Sequence, residues 1–298
     1  MANTDVGVAA GGLGKTIAAA IVQFNKASVT PRTVSMASAV PGSNSVQFPV
    51  YAKLGVSDVT NEATGDEDTE VAATSITTTA TTVEVLRNHI NARITDLAAY
   101  GNNDALMVNA GQVLGNAVAA EFDANICALF DGFATSKGTD DSLRFIDIMD
   151  AVASLETNDA PRPYSAVLHP QQVYGSFGLS NEFGSTAVNG SNGAFGGASA
   201  AIPADQYMGA GYVTSLAGIN IYTTTAVPDG ADATEKKGAV MSETAIGCGY
   251  IDFGGGNFMQ MTQEREEVQA KTVLVANGYY AVAELVDLHG VEMHTEIS

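Results

Sequence analysis

Residues Ala9 to Thr16, AAGGLGKT, carry the sharpest chemical pattern in the chain. They satisfy a relaxed phosphate loop in which Ala9 replaces the first Gly, Lys15 would reach phosphates and Thr16 would reach magnesium. That chemistry needs a buried strand ahead of the loop and a helix behind it, so that backbone amides and Lys15 converge on the phosphates. Only eight residues, MANTDVGV, precede the pattern, and they make a poor buried strand. No apolar run ending in a magnesium-binding Asp is placed to complete the site. The expectation is arm sequence with no nucleotide site, Lys15 facing a partner or an enclosed interior.

The remaining candidates are weaker. His289 and His294 lie five apart in a strand-like segment and lack the helical HExxH spacing of a zinc hydrolase. His89 and His169 stand singly and read as structural. Six carboxylates crowd between Asp58 and Glu70, but TNEATGDEDTE lacks the alternating register and terminal Glu of a calcium loop and reads as solvated. No Ser sits in a nucleophile elbow, and neither Cys127 nor Cys248 has a catalytic local signature. Two cysteines this far apart suggest buried, reduced thiols rather than a disulfide framework. No catalytic residue, cofactor-binding residue, metal ligand or cofactor is expected.

The elements explain why chemistry is scarce. At 298 residues and 46% apolar content the chain can bury a real core, and it reads as globular. Only 15% of residues are charged, with 33 acids against 13 bases and a net charge of −20. That balance disfavours nonspecific attraction to nucleic acid or anionic lipid, and serves either solubility or the repulsion of DNA. Residues 1–57 are the exception: Lys15, Lys26, Arg32 and Lys53 against Asp5 give +3, leaving −23 for the rest. No Lys or Arg occurs between Pro163 and Glu235, so that region is not suited to hold an anionic substrate. Asp5 and Lys15 argue against an export signal, and no uncharged run approaches a membrane span.

Along the chain, residues 1–45 read as an extended arm with one short amphipathic helix near Lys15 to Lys26, ended by Pro31, Pro41 and Gly42. A Thr-rich, acidic hairpin follows from Phe48, and its return strand runs from Ile76 to about Ile90. Val83, Val85 and Arg87 alternate there with Glu84, Leu86 and Asn88. An isolated ribbon of this composition cannot offset its ordering entropy, so it needs another surface, a copy of the same protein. The arm therefore points to assembly, and Arg87 or Arg93 is expected to pair with a carboxylate of another subunit.

Asn102 or Asn103 would cap a helix from Asp104 to Phe133. Its apolar positions Leu106, Ala110, Leu114, Val118, Phe122, Ile126 and Phe130 recur every four residues, with Val113, Ala117, Leu129 and Phe133 alongside. Asn109, Gln112, Asn116 and Asp123 fall elsewhere on the wheel, and Gly111 and Gly115 form a GxxxG suited to close backbone packing. A second unit begins near Asp140, with a helix from Ile146 to Leu155, a buried strand from Tyr164 to Pro170 and a helix from Gln171 to Phe177. Gly178 to Ala201 reads as a loop, strands return at Gly211 to Leu216 and Ile219 to Thr224, and Pro228 to Gly238 is a loop. The last 60 residues are strand-rich, with Asn277-Gly278 expected as a tight hairpin turn. The units are interleaved, because the long helix comes early and the strands that cover it come last.

This order resembles the major capsid proteins of tailed bacteriophages, the Hong Kong 97 type of fold. The phrases YSAVLHPQQVYGSF, TSLAGINIYTTTAVP and KTVLVANGYYAVAELVDLHGVEM carry the resemblance, which covers almost the whole chain. It implies an α+β fold divided into an N-terminal arm (1–45), an E-loop hairpin (46–90), a peripheral domain with a spine helix (91–139 and 239–298) and an inserted axial domain (140–238). It implies a non-enzymatic protein whose hexamers and pentamers close an icosahedral shell around double-stranded DNA, bound without sequence specificity. Scaffolding, portal and decoration proteins would be partners and a membrane would not. The chain would reside in the virion capsid, after assembly in the host cytoplasm. No Lys, Asn and Glu set for a covalent crosslink is identified. The alternatives are a tail-tube or surface-layer structural protein, or a phosphate-loop enzyme.

Overall fold

A 23-residue helix, α2 (Ala105–Cys127), organises the first of two hydrophobic cores. The computed structural model describes residues 16, 18–24, 27–51, 75–96, 105–138, 142–175, 178–179, 212–216, 218–254 and 257–297. The expected phosphate-loop residues 9–15, the hairpin tip with its acidic loop, the cap at Asn102 or Asn103 with Asp104, and the loop from 180 to 201 lie outside them.

Leu114, Val118, Phe122 and Ile126 are buried along α2 at the expected four-residue spacing, each large side chain worth roughly 1.5–3 kcal/mol. The helix is about 34 Å long at 1.5 Å per residue, shorter than expected. It stops at Cys127 because the chain tightens into a 3-10 turn at Phe130–Gly132, which turns both Phe130 and Phe133 into the core. Val113, expected beside the apolar stripe, is 65% exposed, whereas Asp123, expected elsewhere on the wheel, is 3% exposed. By length and composition Val108–Gly132 would suit a membrane span, but half of its most apolar stretch is buried inside the protein.

The described residues from 16 to 34 are packed against α2 rather than extended away from it. Residues 18–24 form a helix, α1, that crosses α2 at the GxxxG. A Cβ on Gly111 would lie 2.6 Å from the Thr16 carbonyl oxygen, and one on Gly115 would lie 2.4 Å from that of Ala20. Only glycine admits this backbone approach. Phe24 then joins Phe258 and Phe122 edge-on, at centroid distances of 5.0 and 6.1 Å. Asp123 clasps the chain that follows: its carboxylate accepts from Val29 N at 3.1 Å, Thr30 N at 3.2 Å and Thr30 Oγ1 at 2.6 Å.

The first sheet covers α2. Strand β1 (Ser35–Ser38) pairs in parallel with β10 (Ile246–Tyr250), which pairs with the 14-residue β12 (Lys271–Glu284). Strands β11 (Met259–Glu266) and β4 (Leu86–Thr95) both pair antiparallel with the first part of β12. Asn277 and Gly278 are therefore not a turn. They sit inside β12, facing Gln260 and Met259 on one edge and His89 and Asn88 on the other. Asn277 is held by Arg87 Nε at 2.8 Å, and a Cβ on Gly278 would press 3.1 Å from the Tyr280 ring. The turn joining β11 to β12 is Glu267–Gln269, closed by Ala270 in left-handed conformation at φ 45°.

The second sheet has the order β5 (Ser136–Lys137), β13 (Gly290–Glu296), β9 (Glu235–Ser242), β6 (Tyr164–Leu168), β8 (Ile219–Thr223) and β7 (Tyr212–Leu216). Every residue of β6 is buried between parallel β8 and antiparallel β9, as its continuous apolar run requires. Helix α3 (Phe145–Thr157) lays Ile148, Ala151, Val152 and Leu155 into this second core, and Asp147 closes its first turn by accepting from Arg144 N at 2.9 Å. Residues 235–238, expected in a loop, belong to β9 because they pair with residues 293–296 of β13. The boundary expected at 238/239 thus cuts a strand, and β9 and β13 share one sheet with β6 and β8.

The phrase HPQQ closes this unit. His169 caps the short helix α4 (Pro170–Tyr174), its Nδ1 accepting from Gln171 N at 3.2 Å. Fully buried Gln172 donates to Lys236 O, Met293 O and Thr295 Oγ1, and accepts from His169 N at 2.9 Å. Both its amide nitrogen and its carbonyl oxygen are bonded, so it ties α4 to β9 and β13 with the cost of burying the amide offset.

Candidate assembly surface

The arm is built on a two-stranded ribbon, β2 (Ser45–Tyr51) with β3 (Thr78–Glu84), in antiparallel register from Ser45 opposite Glu84 to Tyr51 opposite Thr78. Its root has a core, contrary to the expectation that the hairpin lacks one. Val46, Phe48 and Val83 are buried against Ala37, Ala281, Ala283 and Leu285, and Gly249 lets Val46 come close. Higher up the ribbon Tyr51 and Ile76 are 66% and 61% exposed. The root is fixed within its own chain, and the described end of the ribbon above it is exposed.

The return strand breaks at Val85, and the break inverts the face. In β3 the buried residue is odd-numbered Val83; in β4 the inward residues are Asn88, Ala92 and Ile94. Arg87, His89, Asn91 and Arg93 consequently line the outer face of β4. Arg87 is engaged within the chain by Asn277, and Arg93 has no ion-pair partner among the described residues. Across β12, Arg265 grips Asp96 through two bonds of 2.6 and 2.7 Å, holding that carboxyl below the usual range. Lys271 pairs with Glu266 at 2.9 Å.

Most of the described residues with catalytic potential are engaged within the fold. Thr16 is fully buried against Gly111, so its hydroxyl is not placed to meet a metal–nucleotide complex. His289 Nδ1 lies 2.7 Å from Thr244 Oγ1, and burial lowers its pKa; burial and the Lys236 cation lower that of His169. His294 Nε2 pairs with Glu235 Oε2 at 2.9 Å, while His89 stands exposed on β4. Burial pushes the Cys248 thiol up to about 12 and the Cys127 thiol higher still, with Asp123 adding to the latter. Neither forms a nucleophilic thiolate at neutral pH. No group of three or more His, Cys, Asp or Glu among the described residues could hold a metal ion. In a shallow open groove of about 430 Å³ between α3 and β5, lined by Thr135, Lys137, Asp150, Ser154 and Asn158, the Ser154 hydroxyl donates to the Asp150 backbone carbonyl at 2.9 Å.

Sequence reasoning missed two buried charges. Asp123 was signalled only as one of two acids inside a mostly apolar helix. Glu292, 7% exposed, has one oxygen without a hydrogen bond; Lys237 lies 3.5 Å from it and also pairs with Asp131. The two partners of Lys237 are 106 and 55 positions away, so no local pattern announces them.

No protein-family model matches the sequence, and no curated protein is significantly similar to it. Solved structures do match. The capsid of Ralstonia phage GP4 superposes with a TM-score of 0.65 at 12% identity, covering 92% of this chain and 92% of that one. The capsid of cyanophage P-SCSP1u gives 0.63 at 17% identity over 92% and 90%, and an encapsulin from Synechococcus elongatus gives 0.59 at 11% over 90% and 87%. The agreement extends along nearly the whole chain, and this protein has the Hong Kong 97-type fold seen in those phage capsids.

Proposed function

We propose that the chain is a structural shell protein whose copies assemble as hexamers and pentamers into an icosahedral capsid around double-stranded DNA. The observation that carries this reading is the agreement of the whole fold with phage capsids at 90% coverage or more. A hairpin fixed at its root and exposed above it supports the same reading, since closed symmetry converts many modest contacts into a stable container. The net charge of −20 keeps the inner wall from gripping the packaged polyanion. Scaffolding, portal and decoration proteins are the partners this function calls for, in the virion and, during assembly, in the host cytoplasm. The protein performs no catalysis.

Within the subunit, residues 1–45 act as the arm, which lends β1 to the first sheet, and 46–90 as the E-loop, whose last residues begin β4; α2 with the first sheet acts as the peripheral domain, and α3 with the second sheet as the axial domain. Negative-stain microscopy of the purified chain tests the function. Shells or hexagonal sheets are expected. Tubes would favour a tail-tube protein, flat lattices of other symmetry a surface layer, and dispersed monomers would refute the proposal. Because an encapsulin shares the fold, nuclease-protected DNA in particles from the native host separates a genome container from a protein compartment.

A further inference from the structure

The outer face of the β4–β12–β11 blade is electrically polarised by its register. Arg93 on β4 stands opposite Val273 on β12, and Val273 stands opposite Glu264 on β11. One step along, Thr95, Lys271 and Glu266 make the next row, and Arg87 and His89 extend the β4 edge the other way. Residues in one row point to the same face, so the arginines Arg87 and Arg93 line one edge and the carboxylates Glu264 and Glu266 the other, about 10 Å apart across two strand spacings.

Pairing within the chain leaves a matched remainder. Asp96 is occupied by Arg265, Glu266 by Lys271, and the Nε of Arg87 by Asn277. Arg93 and Glu264 are exposed and have no ion-pair partner among the described residues. With only 13 basic residues against 33 acids, an unneutralised surface arginine is scarce in this chain. Val268, fully exposed at the turn beyond Glu266, adds an apolar contact to the carboxylate end.

We propose that this face is a contact between copies, in which the Arg87–Arg93 edge of one subunit seats on the Glu264–Val268 edge of the next. The occupant is a second copy because the face presents both signs in spatial order, and the carboxylate edge repels a nucleic acid backbone. Unlike edges meeting gives a directional, head-to-tail contact, the kind that closes into rings when the rotation per subunit permits. This inference rests on the shell reading and names the side chains that would carry it.

The test uses full-length Arg93→Glu and Glu264→Arg, alone, mixed in equal amounts, and combined in one chain. Each single variant should melt as a subunit like the parent yet form particles at least about tenfold less efficiently, because like charges then meet at every contact. Combining both changes in one chain should restore assembly, and mixing the two should restore it in part, since alternating copies set the reversed β4 edge of one variant against the reversed β11 edge of the other, whereas a five-membered ring cannot alternate throughout. The milder Arg93→Gln and Glu264→Gln should lower assembly less and flatten its salt dependence. Single variants that assemble like the parent would overturn the contact while leaving the shell reading intact. So would rescue by the combined variant without rescue by mixing, which would mean a pair within one chain. A parent chain that forms no particles would remove both readings.

Discussion

Gly115→Ala tests whether α1 is held by backbone contact. A Cβ at this position would sit 2.4 Å from the Ala20 carbonyl oxygen and 3.1 Å from its Cα and carbonyl carbon, all main-chain atoms that cannot rotate away. Helix α1 must then retreat by more than about half an ångström, and overpacking of this kind costs about 1–3 kcal/mol. Alanine recovers about 1 kcal/mol of helix propensity over glycine, so a net loss of up to about 2 kcal/mol is expected. Gly115→Leu adds volume with no space to occupy and should expel α1, losing the burial of Phe24, about 1.5–3 kcal/mol. Urea unfolding of the unassembled subunit measures the loss, and amide exchange of residues 18–24 shows where it falls. Gln112→Ala, on the exposed side of the same helix, should be neutral or slightly stabilising. If Gly115→Ala instead stabilises by about 1 kcal/mol with unchanged exchange in α1, the close approach does not exist and the reasoning fails.

Two buried charges give further expectations. Burial raises the Asp123 pKa above 3.8, against the opposing pull of its bonds from Thr30 and Val29. The native state therefore holds a proton that the unfolded chain releases, and this contribution to stability is lost as pH rises from 3.8 through the native value. Asp123→Asn should remove that part of the slope in urea midpoints across acidic pH, and superimposable slopes would contradict the assignment. Asp123→Ala strands the Val29 and Thr30 donors and should cost about 1–3 kcal/mol at any pH. Lys237→Met leaves Glu292 buried without its cation and should destabilise by about 1–3 kcal/mol, most of it recovered by adding Glu292→Met. Failure of the second change to recover stability would show that Lys237 acts through Asp131 alone.

Much of the architecture was legible because it is written in short-range patterns. The four-residue apolar repeat announced α2, the uninterrupted YSAVL run announced a strand buried on both faces, and Gly111 and Gly115 announced a close approach. Composition carried the functional direction as well: a polar ribbon without enough apolar surface for its own ordering, in a chain with no converging catalytic set, pointed to assembly.

What the patterns could not supply was the identity of each partner, because that depends on residues far apart in sequence. Asn277-Gly278 has the local chemistry of a hairpin turn, yet pairing on both edges of β12, with Arg87 190 positions away, holds it extended. Asp123 read as a wheel position off the apolar face until Val29 and Thr30, 94 and 93 positions away, arrived to bury and bond it. The break at Val85 likewise turned Arg93 outward, opposite Val273 and in line with Glu264, through a register no single segment encodes. Local periodicity and composition decide which segments become helix, strand or arm, since those preferences act over a few residues. Only the folded chain, where long-range pairing must satisfy every buried donor and charge at once, decides which face each side chain presents and what it meets there.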